Sequence, residues 1–189
     1  MMENYKGDWT LANPGDFRKI GNSSSRYPYS FDLSADWKGF DIRGFFQGIG
    51  KRDWYAGGGN HYFWGIYAQP WTNVQTHNLD HWTPENSNAY YPRVKAYIAE
   101  STGSELACVQ TRYMQDASYL RMKNLTIGYT LPQDLTRKLN IERVRFYFSG
   151  ENLFEITHLK ANLDPEALDS SSKVYPLQRS YSFGVNLTF

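Results

Sequence analysis

Apolar and polar residues alternate one by one in five stretches of this chain. The cleanest is 27–37, YPYSFDLSADW. There Tyr27, Tyr29, Phe31, Leu33, Ala35 and Trp37 hold one parity, and Pro28, Ser30, Asp32, Ser34 and Asp36 hold the other. A strand turns successive side chains to opposite faces, so period two predicts a strand with one apolar and one polar face. Beyond Lys38-Gly39 the pattern resumes over 40–50. Phe40, Ile42, Gly44 and Phe46 oppose Asp41, Arg43, Phe45 and Gln47, and the pair of segments predicts a hairpin.

Three more segments follow. Over 118–131, Leu125, Ile127, Tyr129 and Leu131 oppose Asn124, Thr126, Gly128 and Thr130, but Arg121 and Lys123 fall on the apolar parity. That break fits either a membrane–water boundary or a β-bulge that exchanges the faces. Over 142–153, Val144, Phe146 and Phe148 oppose Arg145, Tyr147 and Ser149. Over 179–189, Tyr181, Phe183, Val185, Leu187 and Phe189 alternate with Ser182, Gly184, Asn186 and Thr188. Between the third and fourth segments, LPQDLTRKLN reads as a short helical turn opened by Pro132.

The strands are about as long as the roughly 9–11 residues that cross a bilayer at a tilt. Their connections alternate in length: short at Lys38-Gly39 and 132–140, very long at 51–117, and moderately long at 155–178. Outer-membrane barrels show this asymmetry, with short periplasmic turns and long extracellular loops. The expected fold is therefore all-β: an antiparallel transmembrane β-barrel, here a partial barrel of about five C-terminal strands with long extracellular loops, 51–117 the longest. Bacterial barrels need at least about 8 strands, and an open sheet edge in lipid leaves backbone groups unpaired. Further strands are expected upstream.

Composition is compatible with this. Of 189 residues, 17% are aromatic, the formal net charge is +1, and mean hydropathy is −0.63. A near-neutral chain carries no nucleic-acid footprint. Low mean hydropathy argues against helical membrane spans but is normal for barrel strands, in which polar residues alternate with apolar ones. The opening MMENYKGDWT lacks the pattern of a signal peptide. The single cysteine, Cys108, forbids an internal disulfide.

Candidate chemistry is sparse. The run DWYAGGGNHYFWGIYAQPW brings Trp54, Tyr55, Tyr62, Phe63, Trp64 and Trp71 into one loop. These could stack on sugar rings or meet a partner; the competing expectation is that they pack the loop onto itself or form the aromatic girdle at the membrane interface. Gly57-Gly58-Gly59 precedes no helix pattern, so it is no phosphate cradle. His77 and His81 with Asp80 lack a third ligand, and solvated loop histidines are the simpler reading. Asp164, Glu166 and Asp169 lack the rhythm of a calcium loop. Cys108 has no catalytic setting, and no acid–base pair stands out, so no catalytic residue, metal ligand or cofactor is expected. Asp41, Arg43, Gln47, Arg145 and Glu151 hold the polar parity and would face a lumen.

Four stretches carry a family likeness: RKIGN with YPYSFDLSADWKGFDIRGFFQGIGKRD, then ASYLRMKNLTIGYTLP, VRFYFSGENLF and YPLQRSYSFGVNLTF. In that order they resemble the C-terminal portion of a SusC/RagA-type, TonB-dependent outer-membrane transporter, across 1–189 apart from the variable 54–115. The resemblance implies a plugged barrel of about 22 strands in the outer membrane of a Gram-negative bacterium. It implies import of glycan oligosaccharides or peptides, a SusD-like surface lipoprotein as partner, and energy from the TonB complex. It also implies that Tyr181, Phe183, Val185, Leu187 and Phe189 form the C-terminal signal read by the barrel-assembly machinery. Against that family the chain lacks the signal peptide, TonB box, plug and most of the barrel, so a fragment is expected. Two other readings compete: a soluble or surface carbohydrate-binding β-sandwich, and a secreted hydrolase.

Overall fold

The computed structural model describes residues 12, 15, 18–57, 60–69, 71–94, 106, 108–168, 175 and 177–189. Gly58, Gly59 and Asp169, named above, lie outside them. The chain divides into two compact units. One combines Ser25–Arg52, Ala117–His158 and Pro176–Phe189; the other combines Met1–Ser24, Asp53–Asp116 and Leu159–Tyr175.

The first unit is an antiparallel sheet. Its strands are β1 (Arg26–Trp37), β2 (Phe40–Lys51), β5 (Tyr119–Thr130), β6 (Arg143–Glu151), β7 (Glu155–Thr157) and β8 (Ser180–Thr188). Two short strands, β3 (Asp53–Trp54) and β4 (Gln115–Asp116), pair with each other in the second unit. The order in the large sheet is β1-β2-β5-β6-β8, with β7 on β5 beyond the end of β6. The sheet is open, and no helix among the described residues is long and apolar enough to cross a membrane.

Local chemistry explains the turns. Lys38 and Gly39 both take positive φ, 47° and 87°, the geometry that matches the twist of a two-residue hairpin. The β5–β6 connection begins at Pro132, forms helix α2 (Gln133–Thr136) and a 3-10 turn (Arg137–Leu139), and stops at Asn140 in the left-handed region. Asn tolerates that conformation, so it ends the helical run.

Register resolves the break in the third patterned segment. Phe45 of β2 pairs with Asn124 and Phe46 with Met122, so Lys123 is passed over. The bulge exchanges the parity of β5: before it, Leu120 and Met122 join the apolar face, and Arg121 comes opposite Gln47 on the polar one. Arg121, buried, pairs with Glu155. Of the two expectations stated for Arg121 and Lys123, the bulge is the one present.

Candidate functional site

Beyond the bulge the paired strands stay in phase, so side chains form rows across the sheet. One row runs Ala35, Ile42, Ile127, Phe148 and Phe183; the next runs Trp37, Phe40, Tyr129, Phe146 and Val185. The rings are in contact. Phe31 stacks on Phe46 at 4.7 Å between centroids, Phe40 lies 4.5 Å from Tyr129, and Phe148 lies 5.2 Å from Phe183. This face is nevertheless open. Ile42, Ile127, Phe146, Val185 and Leu187 are all exposed, and Phe183 is 82% exposed. A contiguous apolar face on this scale marks a surface built to meet another apolar phase or partner.

The opposite face carries charge. Arg145 on β6 reaches across β5 to Asp41 on β2 and forms an ion pair with it. The pair passes directly over Gly128, where a Cβ would run into both the Arg145 guanidinium and the Asp41 carboxylate. A glycine at that register position is what allows the two side chains to meet. Arg145 also lies 5.5 Å from the ring of Tyr147. Next to this, Arg43 pairs with Asp32 of β1 at 2.8 Å. Of the polar-parity residues singled out in the sequence, Asp41 and Arg145 thus come together, Gln47 stands opposite Arg121, and Glu151 opposite Asn124.

The second unit turns its aromatics inward. Helix α1 (His61–Trp64) is capped by Asn60, whose side-chain oxygen accepts from the Phe63 N–H at 2.9 Å. The helix drives Phe63 and Trp64 into a core with Trp54, Tyr67, Tyr91 and Tyr113. Trp64 meets Tyr113 edge-on at 5.2 Å, and Tyr67 stacks on Tyr91 at 5.8 Å. Polar handles are satisfied. The Trp64 indole donates to the Ala56 carbonyl at 2.8 Å, the Tyr67 hydroxyl to Pro92 at 2.6 Å, and the Tyr91 hydroxyl to Phe63 at 3.1 Å. Burial raises the pKa of the Tyr67, Tyr90, Tyr91 and Tyr113 hydroxyls and lowers that of His77.

The six loop aromatics named from sequence therefore divide, Phe63 falling in the core just described. Trp54 and Trp64 are interior, so neither offers a surface for stacking; their rings fill the unit's own core. Tyr55 is half-buried, its hydroxyl 3.1 Å from the Leu106 and Cys108 carbonyls. Tyr62 is partly exposed and Trp71 is 78% exposed. The two loop histidines hold backbone: His77 Nε2 lies 2.9 Å from the Tyr62 carbonyl and His81 Nδ1 3.2 Å from that of Asn78. Sequence reasoning did not single out Tyr67, Tyr91 and Tyr113 as core. The density of aromatics in 54–113, without period two, was the available signal.

No family model matches the chain. It is 29% identical over 191 residues to TonB-dependent receptor P3 of Formosa agariphila, covering 92% of this chain and 17% of that protein. TonB-dependent receptor P26 of the same organism is 26% identical over 192 residues, covering 95% and 18%. The chain is homologous to TonB-dependent receptors. Among solved structures the chain matches the RagAB peptide transporter with a TM-score of 0.63 and 27% identity, over 85% of this chain and 17% of that one. It spans less than a fifth of the length of these relatives. They are receptors and transporters, not enzymes.

Proposed function

We propose that the chain is wall and external loop of a SusC/RagA-type β-barrel, which imports oligomeric nutrients across the outer membrane of a Gram-negative bacterium. The observation that carries this is the sheet itself. Strands of 9 and 12 residues present one continuous, exposed apolar face and one charged face, and the sheet is open. Strands of that length match a bilayer, alternation matches lipid on one side and water on the other, and closure by further strands removes the unpaired edges. In this reading the apolar rows contact acyl chains, the Asp41–Arg145 and Asp32–Arg43 pairs face the lumen, and the second unit is extracellular.

The import is gated passage without bond chemistry. A TonB complex supplies energy through an N-terminal part of the protein, and a SusD-like lipoprotein cooperates at the surface. The cargo is a peptide or a glycan oligosaccharide, and the name of the RagAB peptide transporter favours the former. Tyr181, Phe183, Val185, Leu187 and Phe189 serve both as lipid contact and as the row that the assembly machinery reads. Tyr62 and Trp71, with half-buried Tyr55, are the loop aromatics available to cargo or lipoprotein. Membrane fractionation tests the proposal. Recovery of the protein in outer membranes, in a compact state that unfolds only on heating in detergent, is the expected result. Recovery as a soluble monodisperse protein would favour the β-sandwich instead.

A further inference from the structure

The second unit carries a shallow depression lined by His81, Trp82, Thr83, Pro84, Arg93 and Val94, to which the core described above contributes nothing. Its walls are fixed. The Trp82 N–H donates to the Tyr91 carbonyl at 3.0 Å, and the Tyr91 N–H to the Asp80 carbonyl at 3.0 Å. A turn follows, in which the Asn86 N–H donates to the Thr83 hydroxyl at 3.0 Å.

Three chemistries meet in this depression. Arg93 is exposed and makes no hydrogen bond or ion pair among the described residues. The nearby Asp80 carboxylate is already committed, one oxygen to the Tyr90 N–H at 3.1 Å and the other to the Asn86 amide at 3.2 Å. A guanidinium without a partner is a ready carboxylate fork. His81 Nδ1 sits on a carbonyl, so it donates, and in the tautomer protonated at Nδ1 alone Nε2 is an acceptor. Trp82 and Val94 remain partly exposed apolar surface, with Pro84 beside them.

We propose that this depression binds the last residue of a peptide. Its free carboxylate pairs with Arg93, its backbone N–H donates to His81 Nε2, and its side chain rests on Trp82, Pro84 and Val94. An acceptor, a cation and an apolar wall correspond to the three groups that a chain terminus presents together. The inference rests on the import reading and narrows its cargo to peptides with a free carboxyl end.

The test is calorimetric titration of the detergent-purified protein with matched short peptides ending in leucine, one set as free acids and one as amides, and with an acidic oligosaccharide. The expected result is that free acids bind about tenfold or more tightly than amides, the scale of one charge-assisted pair. Arg93→Gln should collapse that ratio toward one with the near-ultraviolet spectrum unchanged, since Arg93 is exposed. Trp82→Ala should weaken both sets alike. Equal affinity for acid and amide in the unaltered protein, an acid preference that survives Arg93→Gln, or binding of the oligosaccharide with no peptide would each overturn the subsite. The import reading would stand through all three and fails separately, if the protein does not reach outer membranes.

Discussion

Both units of this chain are rich in aromatic residues, and they spend them in opposite ways. In the aromatic unit Trp64 and Phe63 are wholly buried, and the Trp64 indole N–H donates to a carbonyl. In the sheet, Phe183 and Phe40 stay exposed although they are in ring contact across strands, and Phe146 is exposed as well. Water drives large rings inward at about 25 cal/mol per Å² of apolar surface. A chain that obeys this rule in one unit and ignores it in the other is adapted to two surroundings. The aromatic unit is built for water, and the sheet face for something that does not expel rings.

The largest way to break this contrast is to empty the buried core. Trp64→Ala should destabilise the aromatic unit by about 3–5 kcal/mol and abolish its near-ultraviolet signal. Exchange protection in β2, β5 and β6 should persist if the two units are stabilised independently. Loss of protection in both at once would show one cooperative core. Next in size is a charge on the sheet face. Ile127 lies in the middle of its row, so Ile127→Arg should cost about 2–4 kcal/mol at a bilayer midplane and prevent assembly into outer membranes. If that face met water, the same change would be nearly neutral, so the yield of heat-modifiable protein decides between lipid and water.

Much of the sheet was legible because period two is a local property. The hydrophobic rows, the hairpin at Lys38-Gly39 and even the fault at Arg121 and Lys123 can be read residue by residue. The Asp41–Arg145 pair was not, because it depends on which residue of a third strand lies between them, and a glycine there is visible only once the register is known. The aromatic unit was read as loop for the same reason. Its core assembles from Phe63, Trp64, Tyr67, Tyr91 and Tyr113 by contacts without period. A count of Trp and Tyr says that a home is needed and not where it is. Trp54 and Trp71 look alike in sequence, yet one is interior and the other exposed.

Smaller effects sharpen the same contrast. Gly128→Ala should push Arg145 off Asp41 and cost about 1 kcal/mol, read as a lowered melting temperature in detergent. Adding Asp41→Asn should then have little further effect, since the pair is already broken. Alkali should act on the aromatic unit. Folded Tyr67 and Tyr91 hold their protons above the ordinary tyrosine pKa of about 10, so the folded state binds more protons than the unfolded one there. Stability is intact below that pH and falls as pH rises through and beyond it. Tyrosinate absorbance that appears together with loss of the unit's near-ultraviolet signal checks this.

The smallest expected effect is at the exposed end of the loop. Trp71 is 78% exposed, so Trp71→Ala should change stability by no more than about 0.5 kcal/mol. If the ring is a contact for cargo or for a surface lipoprotein, the same substitution should still weaken that association, because a large aromatic at an interface contributes through area buried only on binding. The pair of measurements therefore separates the two uses of tryptophan in this chain: Trp64, whose removal unfolds its unit whether or not a partner is present, and Trp71, whose removal shows only when one is. A Trp71→Ala protein that loses its fold would place that ring in the core. One that keeps both its fold and its uptake rate would leave Trp71 without a contact to make.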